Sequence, residues 1–370
     1  MNFDLSSEQK LLKEHLRHLL ADLAAPEKLR AVLASEQPWD PILWRELAAA
    51  GFLGAAIPEE FGGVGMGDID LCVIAEEIGR CVAPVPFFSS VCQAAEAIRR
   101  FGSADQKRRY LPVLASGEAI GTLAHHEGHN SSMRAMPRAI LRDGRLTGVK
   151  WPVADAGVAS LCIVTAVDDS GHLCMAMLNL DQPTIVRRLL KGHDQLRPHY
   201  RLEFSGADAE KIEIVDPHAG FAKLICRTAV FVAFEQLGGA DACLEMATAY
   251  SQSRYTFGRP IGSNQAIKHA LADGVVKNEL ARSNGYYAAW ALASESSELP
   301  LAAATARVSA TEAFDYISRE NLQVHGGIGY TWEANCHFYY RRARLLGLNL
   351  DGTEVWSARL IEQLKSRAEG

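Results

Sequence analysis

The sequence predicts an α+β multi-domain fold, mainly α. An N-terminal α-helical domain covers residues 1–114, a middle β-barrel-like domain covers 115–217, and a C-terminal four-helix bundle covers 218–370. Three observations predict it. Up to about residue 113, apolar residues recur at helical spacing, as in "LLKEHLRHLL" and "LCVIAEEIGRCVA". From about 117 to 217 the texture turns to short apolar or alternating runs, "AILRDGRLTGVKWPV", "SLCIVTAV" and "CMAMLNL", punctuated by turn signals. From about 218 the helical period returns in long segments, roughly 219–253, 264–296, 301–324 and 353–368, lengths that suit an antiparallel bundle.

Each part has local reasons. "MNFDLSSEQKLLKEHLRHLLAD" reads as an amphipathic helix with candidate caps at Ser6 and Ser7, not as a signal peptide. "PILWRELAAAGF" continues the helical pattern. In the middle, Asp-Gly and Asp-Asp-Ser-Gly sit between apolar runs, which is hairpin chemistry. Neither a low-complexity linker nor an internal repeat interrupts the chain.

Bulk properties set limits. With 370 residues the chain can bury two or three sizeable cores. Its 48% hydrophobic and 22% charged content are ordinary for a globular protein. A net charge of −6 with no local basic patch argues against a nucleic-acid partner. No apolar run is long enough to span a membrane. The eight cysteines lie far apart with no C-x-x-C, and read as small buried residues in a reducing cytoplasm.

Two motifs are decoys. "GGVGMGD" (Gly62 to Asp68) lacks the G-x-G-x-x-G spacing and a preceding buried strand, so it reads as a surface loop. "HHEGH" (His125 to His129) is not H-E-x-x-H, and Gly128 would weaken the helix such a metal site needs. It reads as a polar loop, and no metal site is expected.

Three stretches remain. In "SRYTFGRPIG" (Ser253 to Gly262), Arg254 at a helix end and a turn carrying Thr256 could clamp a pyrophosphate, or Arg254 could merely complement the helix dipole. In "NLQVHGGIGYTWE" (Asn321 to Glu333), paired glycines permit close approach of a backbone or flat ligand, or serve as a helix cap, and Gln323 could bond a ring edge. In "LNLDGTEVWSARL" (Leu348 to Leu360), Asp351 and Thr353 precede the last helix, where either could be an N-cap.

Taken in order, "RYTFGRPIGSNQAIKHALAD", "QVHGGIGYTWEANCHFYYRRA" and "DGTE" resemble the acyl-CoA dehydrogenase family. "FDLSSEQKLLKEHLRHLLAD" and "GFLGAAIPEEFGGVGMG" resemble its first domain, and "LTGVKWPVADAGVASLCIVTA" its β domain. The resemblance spans essentially the whole chain. It implies an FAD-dependent enzyme that oxidises an acyl-CoA thioester to the 2,3-enoyl-CoA, with electron-transfer flavoprotein as the family's usual acceptor. It implies tetramers with FAD at a subunit interface. Arg254, Thr256 and Phe257 match the turn that grips the pyrophosphate of a neighbouring subunit's flavin. Gln323 and Gly327 match positions that meet the ADP portion of that same flavin. Ser131 and Thr353 complete the implied cofactor set.

The chain departs from the pattern on the flavin-ring side. The family's T-E-P-x-x-G-S-D-like loop reads "AHHEGHNSS" here, with His125 at the Thr position and Ser131 at the later Ser. The W-I-T-N-like stretch reads "WPVAD", where Pro152, Ala154 and Asp155 replace the aromatic, the Thr and the Asn. The usual catalytic E-G-T reads Asp351, Gly352 and Thr353; Asp is one methylene shorter and lies one residue later, counted from Arg341 to Ala343. Asp351 thus reads equally as base or as N-cap. Arg227 or its neighbour occupies the alternative position of the base, and the direction of Glu235 on the same helix is not set by periodicity.

The kept motifs act across subunits and the altered ones act within a chain. That pattern suits the partner subunit of a heteromeric dehydrogenase, of the kind the family uses on steroid side chains and other bulky acyl groups. The alternatives are a self-sufficient homotetramer with Asp351 as base, a flavoprotein like nitroalkane oxidase acting on a non-CoA substrate, and a binding protein that keeps the fold without the chemistry.

Overall fold

The computed structural model describes residues 5–128 and 135–369. The first 116 residues wind α1 (Ser7–Leu23), α2 (Pro26–Ala34), α3 (Pro41–Ala49), α4 (Asp68–Arg80), α5 (Glu96–Phe101) and α6 (Ala104–Ala115). Ser6 caps α1 through a capping box with Gln9, and Asp40 caps α3 by accepting from Ile42 and Leu43 N–H. Eight strands follow: β1 (Gly121–Ala124), β2 (Ile140–Arg142), β3 (Arg145–Ala154), β4 (Leu161–Val167), β5 (Leu173–Asn179), β6 (Ile185–Leu190), β7 (His199–Asp208) and β8 (Glu210–Ile212). The last part carries α7 (Pro217–Ser253), the short pair β9 (Tyr255–Thr256) and β10 (Arg259–Pro260), then α8 (Gln265–Ala293), α9 (Leu299–His325), α10 (Cys336–Leu348) and α11 (Thr353–Glu369).

The long helices match the segments read from periodicity, and α10 is added to them. Its inward face carries Cys336, Phe338, Arg342, Ala343 and Leu346. A buried arginine in that stripe breaks the apolar period, which is why the sequence pattern misses the helix.

Two compact units emerge. One holds residues 31–67 and 84–228, the other the chain through Arg30, residues 68–83 and the chain from Ala229 onward. The first is organised by one sheet of order β6-β7-β3-β2-β4-β5-β8, with β1 also paired to β4. Asp143 and Gly144, both at positive φ, turn β2 into β3 as the Asp-Gly signal requires. β4 and β5 are buried along nearly their whole length and read as continuous apolar runs.

The second unit is helical. α4 and α7 approach so closely at Gly79 and Gly238 that a Cβ on either would collide with a carbonyl, of Glu235 and Glu76 respectively. Glu76 of α4 is buried, yet paired with Lys13 at 3.0 Å and Arg282 at 2.7 Å; Glu77 is paired with Arg17 at 2.7 Å. Lys13 and Arg282 hold the Glu76 carboxyl below its usual range despite its burial. Among the described residues, no helix is long and apolar enough to cross a membrane.

Candidate functional site

The helical unit presents the 254–262 motif as a two-residue hairpin. Arg254 N–H still bonds Tyr250 C=O at 2.9 Å, and Ile261 N–H returns to Arg254 C=O at 2.8 Å. Between them Thr256 pairs with Arg259, and Phe257 (φ 51°) and Gly258 (φ 79°) form the tip. Two left-handed residues are what a tight hairpin demands, but the first is normally Asn, Asp or Gly. A phenylalanine there costs roughly 1–2 kcal/mol of backbone strain. Its ring is completely exposed, so no packing within the chain offsets that cost. Arg254 and Thr256 are exposed as well.

The second motif is held beside this hairpin. Ala247, Ile261 and Val324 form a small buried cluster with Tyr250, Ile267 and Leu271 packed on it. Tyr250 stacks on His325, with ring centroids 4.1 Å apart. Residues flanking Arg254 and Gln323 are thereby in contact. Gln323 is exposed on α9 and opens on a surface cavity of about 520 Å3 lined also by Arg319, Tyr330, Tyr340 and Arg341. Gly327 follows on an exposed 3-10 turn; a Cβ on it, or on Gly258, would meet nothing within 4 Å. Five of the candidate cofactor residues thus lie on two neighbouring, outward-facing segments, the hairpin and the end of α9 with the turn after it.

Asp351 and Thr353 lie on a separate turn, between α10 and α11. Leu350 (φ 58°) and Asp351 (φ 71°) are consecutive left-handed residues, and Asp351 is 8% exposed. Trp356 Nε1 donates to Leu350 C=O at 2.7 Å, and Val355 N–H to Gly352 C=O at 3.1 Å. Thr353 is half-buried at the start of α11. Glu235 points inward and pairs with the fully buried Arg342 at 3.0 Å.

The sheet unit holds the loops that the resemblance aligns with the flavin-ring side. Their described carboxylates are engaged internally. Asp155 is buried and accepts from Ser89 Oγ at 2.6 Å, while Ala154 C=O accepts from Thr122 Oγ1 at 2.7 Å. Lys150, fully buried, donates to Glu127 at 2.8 Å and to Thr165 at 3.1 Å. Glu127 also accepts from the N–H groups of Arg138 (2.7 Å) and Ala139 (2.9 Å). Burial works to raise the Glu127 carboxyl, but Lys150 and those N–H groups outweigh it and hold it below the usual range. The "HHEGH" loop is therefore anchored through its Glu. His125 contacts His126 and Phe221, and neither of its buried ring nitrogens has a partner among the described residues. Burial, with His126 and Lys150 nearby, pushes it well below the usual imidazole value. Ser131 lies outside the described residues. Arg227, at the alternative base position, is buried and paired with Glu96.

Sequence reasoning missed the buried cations Arg307, Arg342 and Lys150. The signal was present in α9, where Arg307 stands within the stripe Ala303, Ala306, Ala310 and Phe314. A charge on the apolar face of a helix is rarely there without partners.

Comparison with known proteins shows the family. Residues 6–118 match the family model "Acyl-CoA dehydrogenase, N-terminal domain", and residues 224–362 match "Acyl-CoA dehydrogenase, C-terminal domain". The acyl-CoA dehydrogenase IpdE2 of Mycobacterium tuberculosis is 32% identical over 337 residues, 91% of each chain. The acyl-CoA dehydrogenase FadE27 of the same organism is 32% identical over 354 residues, 92% of this chain and 93% of that one. Among solved structures, the Tcur3481-Tcur3483 steroid ACAD superposes with a TM-score of 0.91 at 31% identity, covering 98% of this chain and 99% of that one. The ChsE4-ChsE5 complex from Mycobacterium tuberculosis superposes with a TM-score of 0.90 at 28% identity, covering 99% of each.

Proposed function

The chain belongs to the acyl-CoA dehydrogenase family, and from that premise we propose that it works as one subunit of a two-chain, FAD-dependent enzyme. That enzyme converts an acyl-CoA thioester to the 2,3-enoyl-CoA. The observation that carries the reading is the strained, fully exposed Phe257 at the tip that follows exposed Arg254 and Thr256, beside exposed Gln323 and Gly327. Such a surface is built for something outside its own chain.

The residues fit one end of FAD and not the other. The Arg254 fork, the Thr256 hydroxyl and the open backbone at Gly258 suit a pyrophosphate. Gln323 and the open Gly327 suit the adenosine end. On the ring side, Asp155 and Ala154 C=O are already engaged, and Pro152 has no N–H to offer. FAD, when bound, supplies the acceptor for the two electrons. This chain's part is to hold the dinucleotide end of a flavin whose ring and catalytic base belong to a homologous subunit. The two-chain names of the Tcur3481-Tcur3483 and ChsE4-ChsE5 assemblies support the pairing, and the word steroid in the first supports a bulky acyl group. Electron-transfer flavoprotein is the acceptor this reading assigns to the assembly.

A second reading has its own observation. Asp351 is buried on a turn whose backbone is held by side chains from α9 and α11. In a self-sufficient tetramer it would take the proton from the carbon beside the thioester carbonyl. One experiment separates the two: an absorbance spectrum with solution mass, for the chain alone and co-expressed with a homologous dehydrogenase subunit. The first reading expects a colourless lone chain and a yellow pair, with about one FAD per two chains. A yellow homotetramer, with turnover lost in Asp351→Ala, overturns it in favour of the second.

A further inference from the structure

We propose that Arg307 is a positioning residue for Asp351: its guanidinium, reaching across from α9, fixes the peptide units from which the Asp351 turn departs. The geometry is specific. Arg307 is 1% exposed. Its Nη2 donates to Leu346 C=O and, at 2.7 Å, to Asn349 C=O. Its Nη1 donates to Gln236 Oε1 at 2.9 Å and to Thr311 Oγ1. Leu346 and Asn349 close the C-terminus of α10, where carbonyls lose their helical partners and a cation is favoured.

Asn349 C=O belongs to the last peptide before two left-handed residues, Leu350 and Asp351. The next carbonyl, of Leu350, is held by Trp356 Nε1. Both peptide units ahead of Asp351 are therefore tied to side chains of neighbouring helices. A left-handed pair without glycine persists only where its surroundings over-determine it. Arg307 is placed for this and little else. Its Nε has no partner among the described residues, and burial acts against its charge, with Glu235 offsetting part of that. A planar fork can hold two side chains and two carbonyls at once, which an ammonium or a thioether cannot.

The clamp stands on these contacts alone; its effect on turnover rests on the second reading, in which Asp351 is the base. The test uses the purified assembly, in whatever subunit composition it forms, with Arg307→Lys, Arg307→Met and Asp351→Asn. Amide hydrogen exchange over residues 350–356 and Trp356 emission read the turn without any substrate. The proposal expects exchange there to rise at least about tenfold in Arg307→Met, less in Arg307→Lys, with α8 and the second half of α9 unchanged. No change at 350–356, or an equal rise along all of α9, overturns it. Turnover of a steroid side-chain acyl-CoA thioester with a dye acceptor then separates the two ideas. If Asp351→Asn abolishes turnover, the clamp expects kcat to fall in Arg307→Met with KM nearly constant and partial recovery in Arg307→Lys; a change confined to KM overturns the positioning role. If Asp351→Asn keeps turnover, the base reading falls, and the clamp is judged by exchange alone.

Discussion

The hairpin at 255–260 and the loop at 125–128 both lie in motifs that the resemblance aligns with the family's flavin contacts, and they are built on opposite principles. The hairpin keeps its candidate cofactor side chains outside. Arg254, Thr256 and Phe257 are exposed, and the tip carries strain that its own chain does not relieve. The loop turns its chemistry inward. Glu127 is bound by Lys150, Arg138 and Ala139, and farther along Asp155 is bound by Ser89. A group already paired inside the fold has little to offer a ligand, because leaving its partner unpaired costs about as much as the new bond returns. Kept motifs and lost motifs in one chain thus sort by where the side chains point.

Substitutions can break or sharpen this contrast. The largest effect belongs to the inward loop. Lys150→Met removes the ammonium from a buried pair, and such losses cost about 3–5 kcal/mol. Chemical denaturation of the chain should show a drop toward the lower end of that range, since Glu127 keeps its two N–H donors. A loss below about 1 kcal/mol would mean that Glu127 does not depend on the pair.

Next comes Arg254→Met. The exposed side chain contributes little to its own fold, so the melting temperature should hold. Flavin retention by the pair should weaken about 10- to 100-fold, the worth of charge-assisted hydrogen bonds of about 1.5–3 kcal/mol. Titration of FAD into the apo-assembly measures it, and unchanged affinity would remove the hairpin from the cofactor site.

Acid should act on the helical unit in a defined direction. Burial works to raise the Glu76 carboxyl, but Lys13 and Arg282 outweigh it and hold it below its usual range. A carboxyl depressed in the folded state adds stability above its unfolded pKa of about 4.3 and loses it as pH falls through the folded value. Thermal melts from neutral pH down to about 3 should therefore fall on the acid limb. Glu76→Gln should lower stability at neutral pH and flatten that limb; an unchanged limb would mean that other carboxylates set it.

The smallest effect is the most diagnostic. Phe257→Gly relieves a left-handed phenylalanine but loosens the unfolded chain, so stability should change by less than about 1 kcal/mol. Assembly with the homologous subunit, followed by analytical ultracentrifugation, should nevertheless weaken. Unaltered assembly and flavin content together would leave Phe257 without a function.

Much of the fold was legible locally. Ser6, one of the two candidate caps, does cap α1, Asp143-Gly144 marks the β2–β3 hairpin, and the helix read at 219–253 ends where α7 ends, at Ser253. These features depend on caps, turns and periods that neighbouring residues determine. The turn after α7 was legible as a turn because its motif is contiguous. α10 was not, because Arg342 on its inner face looks like a solvent residue until Glu235 is found across from it.

The sequence by itself determined the order of helical, sheet and helical segments, the family, and the turns that carry Arg254, Thr256, Phe257, Gln323 and Gly327. Only the tertiary structure decided which polar groups face each other: Glu235 with Arg342, Lys150 with Glu127, Arg307 with the carbonyls of Leu346 and Asn349. Periodicity and turn chemistry are short-range and repeat every few residues, so a reader of the chain can follow them. A buried charge obeys no period; it is stable only where a partner 23, 42 or 107 residues away arrives within hydrogen-bonding distance, and that is a property of packing.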